Sequence, residues 1–466
     1  MIVDSTAALP ASHPFDPFSL AAYPQDYWAR AQSRKCFQAD KSKVEVNWTE
    51  VDSQRCVTQK KITTLAELST YTNQNPPARD GLRIIGIPQG NSWRPLKITP
   101  DMLSNIIDST RASPEILELF LSFCQRTLPV EEAFSSAPFV RWNKDNNSVL
   151  EIAYVFKYAF LKPTEDGTTC WVIRQTGIYH QYDQNTNSST WILMHPTTTD
   201  CPFQRRLTEA LVSTDQYARL MEHPLLIHNI LFATYFPNWR DYLAYNQARV
   251  LPVSPVTGLT NRTNGSLDDN HRNLAAVRSV EYSCAPLQAI FRSTREILDK
   301  MHLANRFLEG HGQAEQLKTE AMRQLLDNYL NHVDAYSQSA LFLQGQTARA
   351  AQLLSDAISF KISITTQAQT DYMLDLTVST SDDSMTVRVI TIVTLIYLPS
   401  TFMATLLGMN SFFEMDPNSH RLIVSPQFWI WVVCSVPLTV ATVSYWWFVR
   451  RRRHKNDQKD ETMGMA

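Results

Sequence analysis

The chain has 466 residues, enough to bury a sizeable core and to hold two or three domains. Its 43 basic and 45 acidic residues nearly cancel, which excludes a body built to bind nucleic acid. A mean hydropathy of -0.24 excludes a protein that crosses a membrane many times. The 7 cysteines are scattered and form no C-x-x-C pair, a usage that fits reduced thiols in a cytosolic body.

Residues 1–40 read as a disordered tail. Their start holds Asp4, Asp16 and several prolines and lacks a basic n-region, so neither a secretory signal nor a mitochondrial presequence is expected. Residues 41–200 read as an α+β (α/β-type) cytoplasmic domain. Gly81 to Ile87 looks like a short strand, and Met102 to Arg126 carries Leu117, Phe120 and Phe123 at near-helical steps. Ser148 to Leu161 and Cys170 to Tyr182 are rich in β-branched and aromatic residues. The turn cluster Asp183 to Ser189 leads into a strand over Thr190 to Met194.

Residues 201–315 read as the helical part of the same domain. Phe203 to Val250 has the stripe Leu225, Leu226, Ile230, Leu231, Tyr235, Trp239 and Leu243, with Pro237 marking a helix start or a kink. Leu251 to Asn270 reads as a surface loop, helical periodicity returns over Leu287 to Phe307, and Gly310-His311-Gly312 breaks it. Residues 316–386 read as a long stalk helix with a seam of Met322, Leu325, Tyr329, Val333 and Tyr336. Neither Gly nor Pro occurs from Gln346 to Leu398, so one helix is predicted there, although Ile358 to Ile364 alternates like a strand and Thr377 to Thr386 has the composition of a linker.

Two uncharged runs follow. Val389 to Phe413 as a helix is about 37 Å long, enough to cross a hydrocarbon core of about 30 Å. The expected order is a first transmembrane helix at 387–410, an external loop at 411–427, a second transmembrane helix at 428–449 and a basic cytoplasmic tail at 450–466. Arg388 precedes the first span, and Arg450, Arg451, Arg452, Arg453 and Lys455 follow the second. Basic flanks stay on the cytoplasmic side, so both termini are expected there, with the plasma membrane as the expected location. The external loop then carries Glu414 and Asp416 against a single Arg421.

Two helices cannot enclose a pore, so transport requires an oligomer in which each copy contributes one helix. The first span is the expected lining because Thr391, Thr394 and Thr401 recur at helical steps; the alternative is that these hydroxyls only satisfy their own backbone. Asn410 could end the helix, or place a ring of neutral amides around an axis. Magnesium dehydrates reluctantly, and such a ring can hold the ion through its water shell.

Gly408-Met409-Asn410, at the outer end of the first of two C-terminal spans, resembles the signature of the CorA family of divalent-cation transporters. Val389 to Pro399 is similar to that family's first span, and His223-Pro224-Leu225-Leu226 with Tyr235 to Trp239 is similar to fungal CorA-like proteins. The resemblance implies a homopentamer in a lipid bilayer, with a funnel-shaped cytoplasmic domain and a stalk helix running into a pore-lining span. It implies no resident cofactor, the divalent cation, most often magnesium, being the cargo. By register it implies Asn410, Thr401, Leu398, Ile390, Val387 and Ser384 as pore-facing, and Asp371, Asp375, Asp382 and Asp383 as candidates for regulatory metal binding. Ser384 stands where bacterial members have asparagine, and Leu398 and Val387 where they have methionine.

The competing readings are a non-conducting membrane-anchored scaffold or sensor, and a transporter of zinc, cobalt or nickel. An enzyme is not expected: the chain has no Walker-type phosphate loop, no H-E-x-x-H and no G-x-S-x-G, and His180, His195, His223 and His228 read as isolated surface or packing residues.

Overall fold

The computed structural model describes residues 23–52, 54–74, 79–128, 131–143, 149–164, 166–196, 201–253, 267–309, 313–406, 413–415, 422–424, 426 and 428–463. The chain divides into two units, residues 1–358 and 359–466.

The first unit is organised by one sheet. Its strands are β1 (Val46–Val51), β2 (Val57–Ile62), β3 (Leu82–Pro88), β4 (Phe139–Asn143), β5 (Val149–Pro163), β6 (Thr169–Asp183) and β7 (Ser188–His195), in the spatial order β2-β1-β3-β7-β6-β5-β4. Neighbours are antiparallel except β3 and β7, which run parallel with Leu82 opposite Ser189 and Pro88 opposite His195. The sheet is thus an antiparallel meander, β4-β5-β6-β7, joined at one parallel seam to a three-stranded antiparallel group in which β1 lies between β2 and β3. Strand alternation gives it two buried faces: in β5, Leu150, Ile152, Tyr154, Phe156 and Tyr158 join one core, and Ala153 and Val155 the other.

Helices α1 (Pro24–Ser33), α2 (Leu65–Gln74), α3 (Pro100–Thr110) and α4 (Ile116–Leu121) contribute Trp28, Leu68, Ile106 and Phe120 to the core that also holds Trp48 and Tyr179 of the sheet. Helix α3 starts where the Thr99 side chain accepts from Met102 N at 3.4 Å with a proline in the first turn, and it ends at Arg111 in the left-handed region at φ 52. The other core is built by α5 (Pro202–Val212), α6 (Thr214–Leu220), α7 (Leu226–Val250), α8 (Leu267–Cys284), α9 (Leu287–Phe307) and the first part of α10 (Gln313–Leu406). Phe203, Leu231, Trp239, Ile297, Met301 and Leu326 share that core with Trp191 and Leu193 of β7.

Several expectations need correction. Residues 24–40 are not a disordered tail: Trp28, Ala31 and Cys36 are buried, and Trp28 stacks on Phe37 at 5.8 Å. Of the two roles expected for Pro237, a helix start is excluded, because α7 runs through it. The flanking Tyr235, Phe236 and Trp239 are all buried, and that packing offsets the missing N–H. Leu267 to Asn270, expected as the end of a loop, belong to α8, and residues 254–266 of that expected loop lie outside the described residues. The break at Gly310-His311-Gly312 lies outside the described residues.

In the second unit α10 continues without interruption to Leu406. Thr377 to Thr386 is helical despite its composition; the hydroxyls of Thr377 and Thr380 bond the carbonyls four residues back, at 2.6 and 2.7 Å. The stretch expected as a plain loop carries β8 (Phe413–Met415) antiparallel to β9 (Leu422–Val424). Helix α11 spans Phe428–Met463, so the basic tail continues the second span as helix rather than beginning a separate segment.

Candidate functional site

Among the described residues two helices are long and apolar enough to cross a membrane, the C-terminal part of α10 and Phe428–Phe448 of α11. Their burial follows helical steps. On α11, Phe428, Trp431, Thr439, Thr442 and Trp446 are half-buried and Ser435 is buried, at spacings of three and four, while the residues between them are exposed. On α10, Leu395, Ser400, Met403 and Ala404 are half-buried and Pro399 is buried. Trp431 Nε1 donates to the Ser400 carbonyl at 3.3 Å, which joins the two spans. Small and hydroxyl-bearing residues at this contact suit an environment where lipid, equally apolar, supplies no hydrophobic drive for two helices to meet.

The other side of α10 carries the residues expected to line a pathway. At 100° per residue, Ser384, Val387, Ile390, Leu398 and Thr401 fall within an arc of about 120° turned away from the half-buried side. Val387 and Ile390 are 60% exposed and Leu398 65%, and Ser384 and Thr401 are exposed. Thr391 and Thr394 share the arc. Their hydroxyls donate to Val387 O and Ile390 O at 2.6 Å, and that of Thr401 to Tyr397 O at 2.9 Å and Leu398 O at 3.0 Å. The local alternative anticipated for the donors is therefore the geometry observed. Each hydroxyl oxygen keeps acceptor capacity toward a neighbour.

Of the acids, Asp371 and Asp375 are exposed on α10. Asp382 and Asp383 lie further along the same helix; the face of Asp371 and Asp375 differs from the arc of Ser384 to Thr401. Glu414 lies on β8, paired with Ile423. Arg388 is exposed on α10; Arg450, Arg452, Arg453 and Lys455 lie on α11, and the Arg451 guanidinium stands 4.9 Å from the Trp447 ring centroid. Gly408, Met409, Asn410 and Asp416 lie outside the described residues.

Of the two readings of the four histidines, surface or packing, packing is the one observed, and two of them are not isolated. His180, His195, His223 and His228 are all buried. His228 meets Tyr154 Oη through Nδ1 at 2.7 Å and His180 Nδ1 through Nε2 at 3.1 Å, and His180 Nε2 lies 3.3 Å from Ser189 Oγ. Burial pushes His180 down to about 3, and burial followed by its histidine neighbour holds His228 well below the usual imidazole range. Both rings are neutral links in a buried polar chain, with Trp191 stacked on His180 at 4.0 Å. Sequence reasoning missed this pairing because the two rings come from β6 and α7; their only sequence signal is a polar residue on an otherwise apolar face. Among the described residues no three His, Cys, Asp or Glu side chains converge to hold a metal ion.

Two family models match the chain: CorA-like transporters over residues 19–251, and CorA-like Mg2+ transporter protein over residues 262–453. Among curated proteins none matches. Among solved structures, the crystal structure of the ZntB cytoplasmic domain from Vibrio parahaemolyticus is similar at 12% identity and a TM-score of 0.35, over 69% of this chain and 98% of that one. The family models take in the α/β body, the long helix and both apolar helices, and they describe transporters rather than enzymes. The chain belongs to the CorA-like family and is an oligomeric membrane transporter of divalent cations.

Proposed function

We propose that copies of this chain form a homopentameric pore lined by the C-terminal part of α10, and that it carries magnesium. The observation that supports this reading most is the division of α10 into two sides. One side packs toward the second span, and the opposite arc, from Ser384 to Thr401, stays exposed. Five such arcs around an axis give polar rings at Ser384 and Thr401. Val387, Ile390 and Leu398 make apolar rings between them, a constriction that closes by losing its water.

Gly408-Met409-Asn410 follows this helix and stands at the outer mouth. A ring of Asn410 amides holds the hydrated ion by its water shell, weakly enough for release. Glu414 and Asp416 beside it raise the local cation concentration. Asp371 and Asp375 lie off the pore arc, where neighbouring subunits meet, and with Asp382 and Asp383 bind the ion on the cytoplasmic side to report its level. Arg388 and the basic run from Arg450 to Lys455 hold both termini in the cytoplasm, at the plasma membrane.

The test is cation flux into vesicles holding the purified protein, with magnesium, zinc, cobalt and nickel offered in turn. Magnesium flux is expected, and it is lost in Asn410→Ala. Undiminished flux in that variant overturns the role of the amide ring; flux of zinc, cobalt or nickel without magnesium overturns the choice of ion. Assembly without any flux favours a scaffold.

A further inference from the structure

A cavity of about 710 Å³ in the first unit is absorbed by none of these roles. It lies where β6 outruns β7: Thr169 to Thr176 pair with β5, and among the described residues they have no partner on their other edge. The segment after β3 forms one wall and the segment after α4 the next, joined by Arg126 N donating to Trp93 O at 3.0 Å. Lys157, buried below, donates to the carbonyls of Glu131 and Glu132 at 2.9 and 2.7 Å and fixes a third edge.

The lining is charged in one sense. Arg94, Arg126, Lys162 and Arg174 face a single carboxylate, Glu132, in a chain whose overall charge is -2. Burial raises the Glu132 carboxyl above its usual range. Arg126 is occupied, bonding the Ser122 carbonyl at 2.8 Å. Arg94, Lys162 and Arg174 have no ion pair with any described residue, and the Arg174 guanidinium is held 4.1 Å from the Phe160 ring centroid. Aromatic rings complete the lining: Trp93 and Tyr282 are 45% and 60% exposed at the rim, and Trp171 meets Tyr242 edge-on at 6.0 Å.

We propose that this cavity binds a nucleotide. Unpaired guanidinium and ammonium groups recognise phosphoryl oxygens, flat aromatic surfaces take a base, and the volume lies within the range of small-ligand sites. The site is separate from the ion pathway and gives the transporter a means of responding to the nucleotide pool.

The test is titration of the full-length oligomer in detergent with ADP, inorganic phosphate and adenosine, each with and without magnesium, followed by calorimetry and by tryptophan fluorescence. ADP is expected to bind saturably, with phosphate and adenosine each far weaker. Lys162→Glu and Arg174→Glu are each expected to weaken ADP about tenfold or more, since a hydrogen bond to a charged group is worth about 1.5–3 kcal/mol. Trp93→Phe and Trp171→Phe are expected to remove the fluorescence change. Both charge-reversed side chains reach solvent, so these variants keep the fold, and unchanged circular dichroism checks it. Absence of ADP binding at millimolar concentration, ADP binding indifferent to both charge reversals, or phosphate binding as tightly as ADP each overturns the proposal.

Discussion

In the first unit Trp48, Trp191 and Trp239 are fully buried, whereas in the second Trp429, Tyr445 and Trp447 each expose more than half of their surface. The same residue types obey two solvents. In the sheet-centred unit apolar side chains leave water for one another, and a buried polar group is stabilised by a partner, as the Tyr154–His228–His180–Ser189 chain illustrates. Along the spans, lipid is as apolar as the side chains, so helices meet through shape and a few bonds such as Trp431 to Ser400. A polar substitution should therefore be ruinous in the first unit, and tolerated by the fold but decisive for transport on the exposed arc of α10.

The largest expected effect breaks this comparison most directly. Leu398→Asn should leave assembly intact, as judged by size-exclusion elution, yet raise resting cation flux about tenfold or more by wetting the constriction. Unchanged flux would place Leu398 away from the pathway. In the first unit Trp191→Ala should cost about 3–5 kcal/mol in urea denaturation, the range for emptying a buried aromatic site. A loss under about 1 kcal/mol would show that the core closes around the gap.

Acid sharpens the same contrast. The folded state holds His180 near 3 and His228 well below its usual range, while the unfolded chain takes up protons near pH ~6.5. The neutral rings' contribution is thus whole above pH ~6.5. For His180 it falls by about 1.4 kcal/mol per pH unit as pH drops toward 3, and His228 adds a loss of the same sign. Denaturation midpoints at pH 7 and pH 5 should differ accordingly, and a flat profile in this range contradicts the neutral pair. Gly177→Ala should cost about 1–3 kcal/mol by overpacking, since a Cβ there meets Phe123 Cε2 at 2.8 Å. Smallest is Thr99→Ala, about 1 kcal/mol for the lost cap of α3; thermal melting resolves both, and equal melting temperatures would refute either.

Legibility in the sequence followed the same division. The spans, the seam of α10 and the long alternating strands β5 and β6 could be read directly, because each buries or exposes a regular stripe. Strand β2 could not: Thr58, Gln59, Lys60 and Lys61 are exposed at the sheet edge and show no apolar alternation. Helix α8 was hidden for a related reason, with Asn270, Val277, Val280 and Cys284 its only buried residues among many polar ones. The acids and the threonines of the pathway were legible as residue types, but the placing of Asp371 and Asp375 on a different face of α10 from the threonines needed an unbroken helix through a linker-like stretch. The His180–His228 contact and the basic cavity depend on long-range topology, which local periodicity does not encode.

The parallel seam between β3 and β7 also has a consequence in time. Its two strands lie about a hundred residues apart, so at about 5–20 residues per second a ribosome finishes β7 on the order of 5–20 seconds after β3. Throughout that interval β3, whose residues are all buried in the finished sheet, has β1 on one side and an open edge on the other. An open apolar edge is a template for wrong pairing. The nascent chain therefore passes through a window of vulnerability whose length is set by translation speed, and slowing synthesis between residues 88 and 188 should lengthen it.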